Sequence, residues 1–330
     1  MKIAACLMLT TALATALASC SGLPNDVEDA GPPLEVFAVV LGTAQDGGLP
    51  QVGCFDECCA DAREDPELRR LVSSVLIVDA RGAGPPRRWL LDCTPDLQEQ
   101  VASARGVLAP RTAGDGGRPP LFDGIFPTHA HLGHYAGLLQ LGREAYGAKG
   151  QRVFATERME RFLLGNDPFA HLVESGALVL ERIAPGDAIT LAPDLVVEPL
   201  SVPHRDEFSD TVAFVVRGPE GSLCYLPDID KWERWDTAIE DVVRGVDVAL
   251  LDGTFFADGE IPGRSMRDIP HPFIAESIAR FRRLEPSERG RIWFTHLNHT
   301  NPVARPGSVS EAAVLSAGMH VARDGQVFRL

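Results

Sequence analysis

The segment Thr128-His129-Ala130-His131-Leu132-Gly133-His134 decides how this chain of 330 residues is interpreted. It places three imidazoles within six residues, directly after a short apolar run that is typical of a buried strand. We expect His129 and His131 on one side of an extended loop, with His134 in or beside the first turn of the next helix. Imidazoles crowded in this way favour a divalent cation such as zinc, iron or manganese. The segment therefore predicts a metal site at a strand end.

Outward from this segment, apolar runs rich in β-branched residues alternate with stretches of helical periodicity, which indicates the α/β class. The predicted strands cover residues 36–41, 74–78, 89–91, 124–126, 152–155, 195–200, 211–216, 223–226, 246–251 and 291–294. The predicted helices cover residues 66–71, 96–104, 135–146, 157–164, 232–243 and 272–284. We find no repeat and no long linker, so a single large domain is expected.

Polar residues follow many of the predicted strands at the point where each strand ends. They are Asp46, Asp92, His129, His204, Asp228, Asp252 and His296. Ligand sites of α/β sheets collect beyond strand ends, so these side chains are expected to share one site.

The order of these residues resembles the metallo-β-lactamase fold from residue 36 to the C-terminus. The resemblance rests on the HxHxxH segment, a histidine after a later strand, the aspartate of Tyr225-Leu226-Pro227-Asp228, and a late histidine. It implies an α/β fold arranged as an αββα four-layer sandwich. It also implies two metal sites, the first on His129, His131 and His204 and the second on His134, Asp228 and His296.

Within this superfamily, four separated blocks are similar to the coenzyme PQQ synthesis protein B family. They are LGTAQDGGLPQ (41–51), LLDCTPD (90–96), LDGTF (251–255) and THLNHTNP (295–302). The fold commonly has an aspartate before the third histidine, where this chain has Gly133, so we expect one or two zinc ions with a weakened second site. The resembled family often lacks the first two histidines of the motif, whereas this chain has both, which leaves room for a different reaction.

The predicted ligands suit more than one chemistry. Zinc would activate water in a metal-dependent hydrolase acting on a small molecule, which is the leading interpretation. Fe²⁺ would suit an oxygenase or hydroxylase of PQQ biosynthesis. A periplasmic binding or carrier protein for PQQ or a related small molecule is the third alternative. Catalytic roles are expected for Asp228, His271 and Asp252. Residues expected to hold the ligand imidazoles in place are Asp46, Asp92 and His299.

Three cysteines follow the first block, where the resembled family carries a CxCxxC zinc cluster. Cys54 and Cys59 match its outer positions, Asp56 occupies the middle position, and Cys58 is displaced. A structural zinc on Cys54, Cys58, Cys59 and Asp56 is one expectation. A disulfide, formed in an oxidising compartment, is the other.

The first 19 residues have the features of a secretory signal, because Lys2 precedes an apolar run without acidic side chains. Leu17-Ala18-Ser19-Cys20 resembles the bacterial lipobox, so we expect lipidation at Cys20, a flexible tether over 20–33 and a folded domain over 34–330. The net charge of −15 disfavours nucleic acid and anionic lipid as partners. Membrane attachment is therefore expected only through the lipid on Cys20, with the domain facing the periplasm or the cell exterior.

Overall fold

The computed structural model describes residues 35–108, 118–261, 263, 265–266 and 268–330. The strands in this part of the chain are β1 (Val36–Gly42), β2 (Ser74–Asp79), β3 (Arg87–Leu91), β4 (Gly124–Phe126), β5 (Gln151–Ala155), β6 (Leu178–Arg182), β7 (Ile189–Ala192), β8 (Leu195–Ser201), β9 (Val212–Arg217), β10 (Ser222–Leu226), β11 (Val248–Asp252), β12 (Ile292–Thr295), β13 (His320–Val321) and β14 (Val327–Arg329). The α-helices are α1 (Glu57–Glu64), α2 (Leu97–Ser103), α3 (Leu132–Tyr135), α4 (Glu157–Gly165), α5 (Phe169–Glu174), α6 (Ile239–Arg244), α7 (Ile274–Phe281), α8 (Pro286–Arg289) and α9 (Val309–Ser316).

The strands form two seven-stranded sheets. The first has the order β14-β1-β2-β3-β4-β5-β6, and the second has the order β13-β12-β11-β10-β9-β8-β7. Neighbours from β3 to β6 are parallel, and so are neighbours from β10 to β13. Parallel neighbours end at the same edge of a sheet, so the residues that follow β3, β4, β10, β11 and β12 come together at one edge of the sandwich.

Successive side chains of β1 point into two different cores, which shows how the layers of the fold are arranged. Ala38 and Val40 belong to the core between the two sheets, whereas Phe37 and Val39 face the other way, into a core shared with α2, α4 and α5. Helices α6, α7 and α9 bury their apolar residues against the outer face of the second sheet. A strand that is buried on both faces reads as a continuous apolar run, as β1 does. The predicted αββα sandwich is confirmed.

Several predicted elements differ from the observed ones. The predicted helix 135–146 is a 3₁₀ segment, Ala136–Leu141, that follows the short α3. Gly137 packs its backbone so closely against Thr94 that a Cβ would lie 2.1 Å from the Thr94 carbonyl oxygen. The predicted helix 66–71 is a single 3₁₀ turn, Pro66–Leu68, and the predicted helix 232–243 is divided into a 3₁₀ turn and α6.

The prediction also missed four strands, β6, β7, β13 and β14. β6 and β7 end their sheets and are partly exposed, which weakens the apolar pattern, and β13 has only two residues. The helices α1, α5, α8 and α9 were missed as well; each has no more than eight residues. In the described part of the chain, no helix is both long and apolar enough to span a bilayer.

Candidate metal centre

Asp228, which follows β10, lies at the centre of the predicted site and is 3% exposed. Its two carboxylate oxygens lie 3.2–3.6 Å from nitrogen atoms of five histidines, namely His129, His134, His204, His271 and His296. Two ligands of one tetrahedral zinc, each about 2.1 Å from the ion, are roughly 3.4 Å apart. The spacing around Asp228 therefore suits side chains that bind metal together.

Two residues reach the site through an unusual backbone conformation. Asp92 directly follows β3 and His296 directly follows β12, and both have positive φ angles, of 62° and 59°. Asp and His are among the non-glycine residues that adopt this left-handed region most readily. Backbone strain of this kind is often found at functional sites, where the surrounding structure holds it.

The first group of possible ligands consists of His129, His131, His204 and Asp228. One donor atom from each lies within 4.8 Å of the others, and all four residues are buried. His131 Nδ1 lies 2.7 Å from His129 Nε2, while His131 Nε2 faces Glu207 Oε2 at 3.2 Å. Because Glu207 engages Nε2, the geometry leaves Nδ1 of His131 as the nitrogen directed to a metal.

The second group consists of His134, His296 and Asp46. Asp46 was expected only to hold a ligand imidazole, but its Oδ1 lies 3.5 Å from His134 Nε2. The same oxygen accepts a hydrogen bond from the backbone N–H of Gly133 at 3.0 Å. Asp46 thus occupies the space next to Gly133, where the sequence pattern lacks a carboxylate.

Asp92 is fully buried and holds residues 128–134 in place. Its Oδ2 lies 2.6 Å from His134 Nδ1, and its carboxylate accepts hydrogen bonds from the Thr128 N–H at 2.7 Å and from the Tyr225 hydroxyl at 3.0 Å. On the opposite side, Thr254 Oγ1 lies 2.9 Å from His296 Nδ1. Each of these imidazoles is therefore held by Nδ1, which leaves Nε2 directed at Asp228.

His271 is held differently from the other histidines. Its Nδ1 lies 2.8 Å from Asp252 Oδ2 and 3.3 Å from Asp228 Oδ1. Burial opposes a charged His271, but the carboxylate of Asp252 outweighs it and raises the pKa of the imidazole to about 9. Asp252 also accepts hydrogen bonds from the Ile229 N–H and from the Thr254 hydroxyl, so the pair is rigidly placed.

The protonation states suit metal binding in the first group. Burial lowers the pKa of His129 well below its ordinary value and also lowers the pKa of His131. Burial opposes an ionised Asp228, but the surrounding imidazoles hold the pKa of its carboxyl well below the ordinary value. Neutral imidazoles and an ionised carboxylate are the forms that bind a metal.

Buried polar atoms without partners provide a second test of fit. Among the described residues, the side-chain atoms of this site that are buried and make no hydrogen bond are His134 Nε2, His204 Nδ1, His204 Nε2, His296 Nε2 and Asp228 Oδ1. Leaving such groups unpaired costs about 1–3 kcal/mol each. A cation bound between them would satisfy the Nε2 atoms and the carboxylate at once, so the residues fit a metal.

Comparison with known proteins shows the family of this chain. Residues 87–297 match the family model of the beta-lactamase superfamily domain. Coenzyme PQQ synthesis protein B of Methylobacterium nodulans is 31% identical over 315 residues, which cover 89% of this chain and 99% of that protein. The chain belongs to the coenzyme PQQ synthesis protein B family.

Solved structures place this family member in the same fold. Zinc-bound PqqB from Methylobacterium extorquens matches with a TM-score of 0.73 and 25% identity, covering 89% of this chain and all of that one (100%). A diphosphatase of the PhnP family matches with a TM-score of 0.61 and 24% identity, covering 89% and 96% of the two chains, and shows the shared fold.

The loop cysteines form a separate group. Cys54, Cys59 and His299 bring one donor atom each within 4.8 Å of one another. Cys58 Sγ lies 3.9 Å from Cys54 Sγ, and the described cysteines are free thiols. Burial and the neighbouring thiols raise the pKa of Cys58 to about 12.

Two expectations for this part of the chain need correction. His299 was expected to support the main centre, but it lies with the loop cysteines, because the chain turns away from the site after His296. Asp56 was expected as a ligand of the structural metal, but it stands at the N-cap position of α1 and is outside the group of three.

Sequence reasoning also missed three residues that hold the site. Thr128 precedes His129 and contacts its imidazole, and Thr254 lies two residues after Asp252 and contacts the imidazole of His296. Glu207 lies three residues after His204 and meets His131 only because the loop between β8 and β9 folds over it. The nearness of the threonines to predicted ligands was a usable signal, whereas nothing local indicates Glu207.

Proposed function

We propose that this chain is a metal-dependent hydrolase-type enzyme that uses a metal-activated water on a small substrate. The observation that carries the proposal is the convergence of five histidines on the buried Asp228. The zinc-bound relative supports zinc as the first candidate metal. Zinc held at such a site lowers the pKa of bound water to about 7, which supplies hydroxide at neutral pH.

The chain's own residues would bind the metal and transfer the proton. His129, His131 and His204 would hold one ion together with Asp228. The Asp228 carboxylate also lies 3.2 Å from His134 Nε2 and 3.4 Å from His296 Nε2, so it faces the histidines of the second group as well. Asp252 holds Nδ1 of His271. The other ring nitrogen of His271 remains for exchanging a proton with the leaving group of the substrate.

A second candidate is an iron-dependent oxygenase or hydroxylase in PQQ biosynthesis. It is favoured by the name of the relatives, coenzyme PQQ synthesis protein B, which refers to a biosynthetic step. Histidines with one carboxylate and open positions also suit Fe²⁺. A carrier of PQQ or a related molecule is a third outcome, which would bind its ligand without consuming it.

We also propose a structural zinc on Cys54, Cys59 and His299, with Cys58 Sγ near enough to complete the set. Two or three sulfur ligands with histidine are typical of structural zinc sites. Zinc would favour the thiolate forms that burial otherwise disfavours.

Export as a lipoprotein remains part of the proposal. Cys20 and the whole segment 1–34 lie outside the described residues. The proposal is supported by the lipobox-like sequence Leu17-Ala18-Ser19-Cys20.

The metal assignment is tested by His129→Ala and His131→Ala. Each substitution removes a ligand, so most of the metal of the first group should be lost, together with hydrolysis of bis(p-nitrophenyl) phosphate or a p-nitrophenyl ester. Elemental analysis measures the metal, and His171→Ala, on the exposed surface of α5, is the matched control.

The metal-reloaded wild-type chain distinguishes the three functions. Hydrolysis restored by zinc supports the proposal, oxygen consumption only with Fe²⁺ supports the oxygenase, and binding of PQQ without turnover supports the carrier. Normal metal content in both histidine variants would refute the assignment.

A further inference from the structure

The space that a side chain at position 133 would occupy is filled by another part of the chain. An ideal Cβ on Gly133 would lie 2.2 Å from Asp46 Oδ1 and 2.8 Å from Asp46 Cα. Real Cβ atoms do not approach other atoms so closely, so residue 133 can carry no side chain while the backbone and the carboxylate of Asp46 occupy this space. The Gly133 N–H instead donates a hydrogen bond to Asp46 Oδ1.

The carboxylate of Asp46 faces two histidines that have free, buried nitrogens. Its Oδ1 lies 3.5 Å from His134 Nε2, and donor atoms of Asp46, His134 and His296 lie within 4.8 Å of one another. His134 and His296 are fully buried, and the Nε2 atoms of both make no hydrogen bond within the described structure. Two unpaired imidazole nitrogens beside a carboxylate are a donor set for a divalent cation.

Backbone contacts hold Asp46 in this position. The N–H of Gln45 donates to the Leu297 carbonyl at 2.9 Å, and the N–H of Leu297 donates to the Thr43 carbonyl at 2.8 Å. These two bonds fasten the segment that follows β1 to the segment that carries His296. The fold therefore places the Asp46 backbone beside the second group, and the N–H of Gly133 in α3 then orients its carboxylate.

We propose that Asp46 is the carboxylate ligand of the second metal in this chain, and that Gly133 is the matching change that makes room for it. The proposal rests on the proposed metal centre and assigns a ligand of its second ion. Gly133 was expected to weaken the second site. In this arrangement the second site keeps a carboxylate and is not weakened. In this arrangement, Gly133→Asp alone introduces a clash and does not strengthen the site.

Substitutions at the two positions test the proposal. We would measure zinc content and zinc affinity of the wild-type chain, Asp46→Asn and Gly133→Asp. Asp46→Asn retains an acceptor for the Gly133 N–H, so the loop is expected to keep its conformation. Asp187→Asn, on an exposed turn away from the centre, is the control.

Asp46→Asn should hold about one equivalent of zinc less than the wild type, with affinity at the second site reduced more than about 100-fold, since a ligand is lost outright. Gly133→Asp should also lose zinc and should have a lower Tm than the wild type. Circular dichroism confirms that each variant is folded.

Three results would overturn the proposal: wild-type zinc affinity in Asp46→Asn, tighter zinc binding at the second site in Gly133→Asp, or a wild-type chain that takes up no second ion at saturating zinc. A wild-type chain that binds no zinc at the first group would instead contradict the proposed function. The two failures are therefore distinguishable.

Discussion

Asp92 and Asp252 are buried and each holds a histidine, but with different consequences for the imidazole. Asp92 engages Nδ1 of His134, and the other nitrogen of that ring faces Asp228. His271 directs the same atom, Nδ1, at both Asp252 and Asp228. A nitrogen that donates to a carboxylate has no lone pair left for a metal, so His271 is better placed to carry a proton than to act as a ligand.

This difference predicts separate effects on metal binding and on turnover. His271→Gln and Asp252→Asn should keep the metal content of the wild type but reduce the rate of hydrolysis by about 10²–10⁴-fold, the usual contribution of a general acid. Elemental analysis and initial rates, measured on the same preparations, check both parts. Metal loss in His271→Gln would make His271 a ligand, and unchanged rates would remove it from the mechanism.

At the scale of elements, the loop 50–56, α1 and the segment after β12 form a substructure beside the main centre. The Arg63 side chain donates to the Cys54 carbonyl at 2.6 Å, and Arg305 contacts Asp61 of α1 at 2.8 Å. Cys59 is buried in the core of the second sheet. The zinc proposed for this group would join α1 to the segment that carries His296.

We therefore predict that Cys54→Ser with Cys59→Ser loses about one tightly held zinc, and that His299→Ala loses the same ion. This zinc should survive mild chelation that removes the metal of the main centre. His320→Ala, whose ring stacks on Trp293 at 4.2 Å, is the control. A count of free thiols under denaturing conditions decides between the alternatives, because a disulfide involving Cys54 or Cys59 excludes this zinc.

At the scale of the whole molecule, the two sheets bring the strand ends to one edge, and the chain carries a net charge of −15. Such a charge gives anionic membrane surfaces no attraction for the domain. A single acyl chain binds membranes only weakly, whereas a lipidated cysteine with several chains holds a protein stably.

Cys20→Ala should therefore abolish lipid labelling and leave the protein either unprocessed or released in soluble form. Labelling with radioactive palmitate, followed by fractionation, measures both effects, and Cys6→Ala, inside the proposed signal, is the matched control. Unchanged labelling in Cys20→Ala would disprove the lipobox interpretation.

The sequence by itself determined the features that depend on local order. Residues 128–134 place three imidazoles together through short-range geometry alone, and apolar runs located every strand that lies in the interior of its sheet. The positions of Asp228, Asp252 and His296 after such strands were enough to collect most of the centre, since parallel neighbours end at one edge.

Only the tertiary structure decided which side chains meet across long separations in the chain. Asp46 lies 87 residues from Gly133 in the sequence. His299 lies beside Cys54 and Cys59 and not in the main centre, although it is three residues from His296. No local pattern records these contacts, because they arise from the packing of loops between elements. Asp46 fills the space beside Gly133 because steric exclusion acts between atoms that folding brings together, whatever their separation in the sequence.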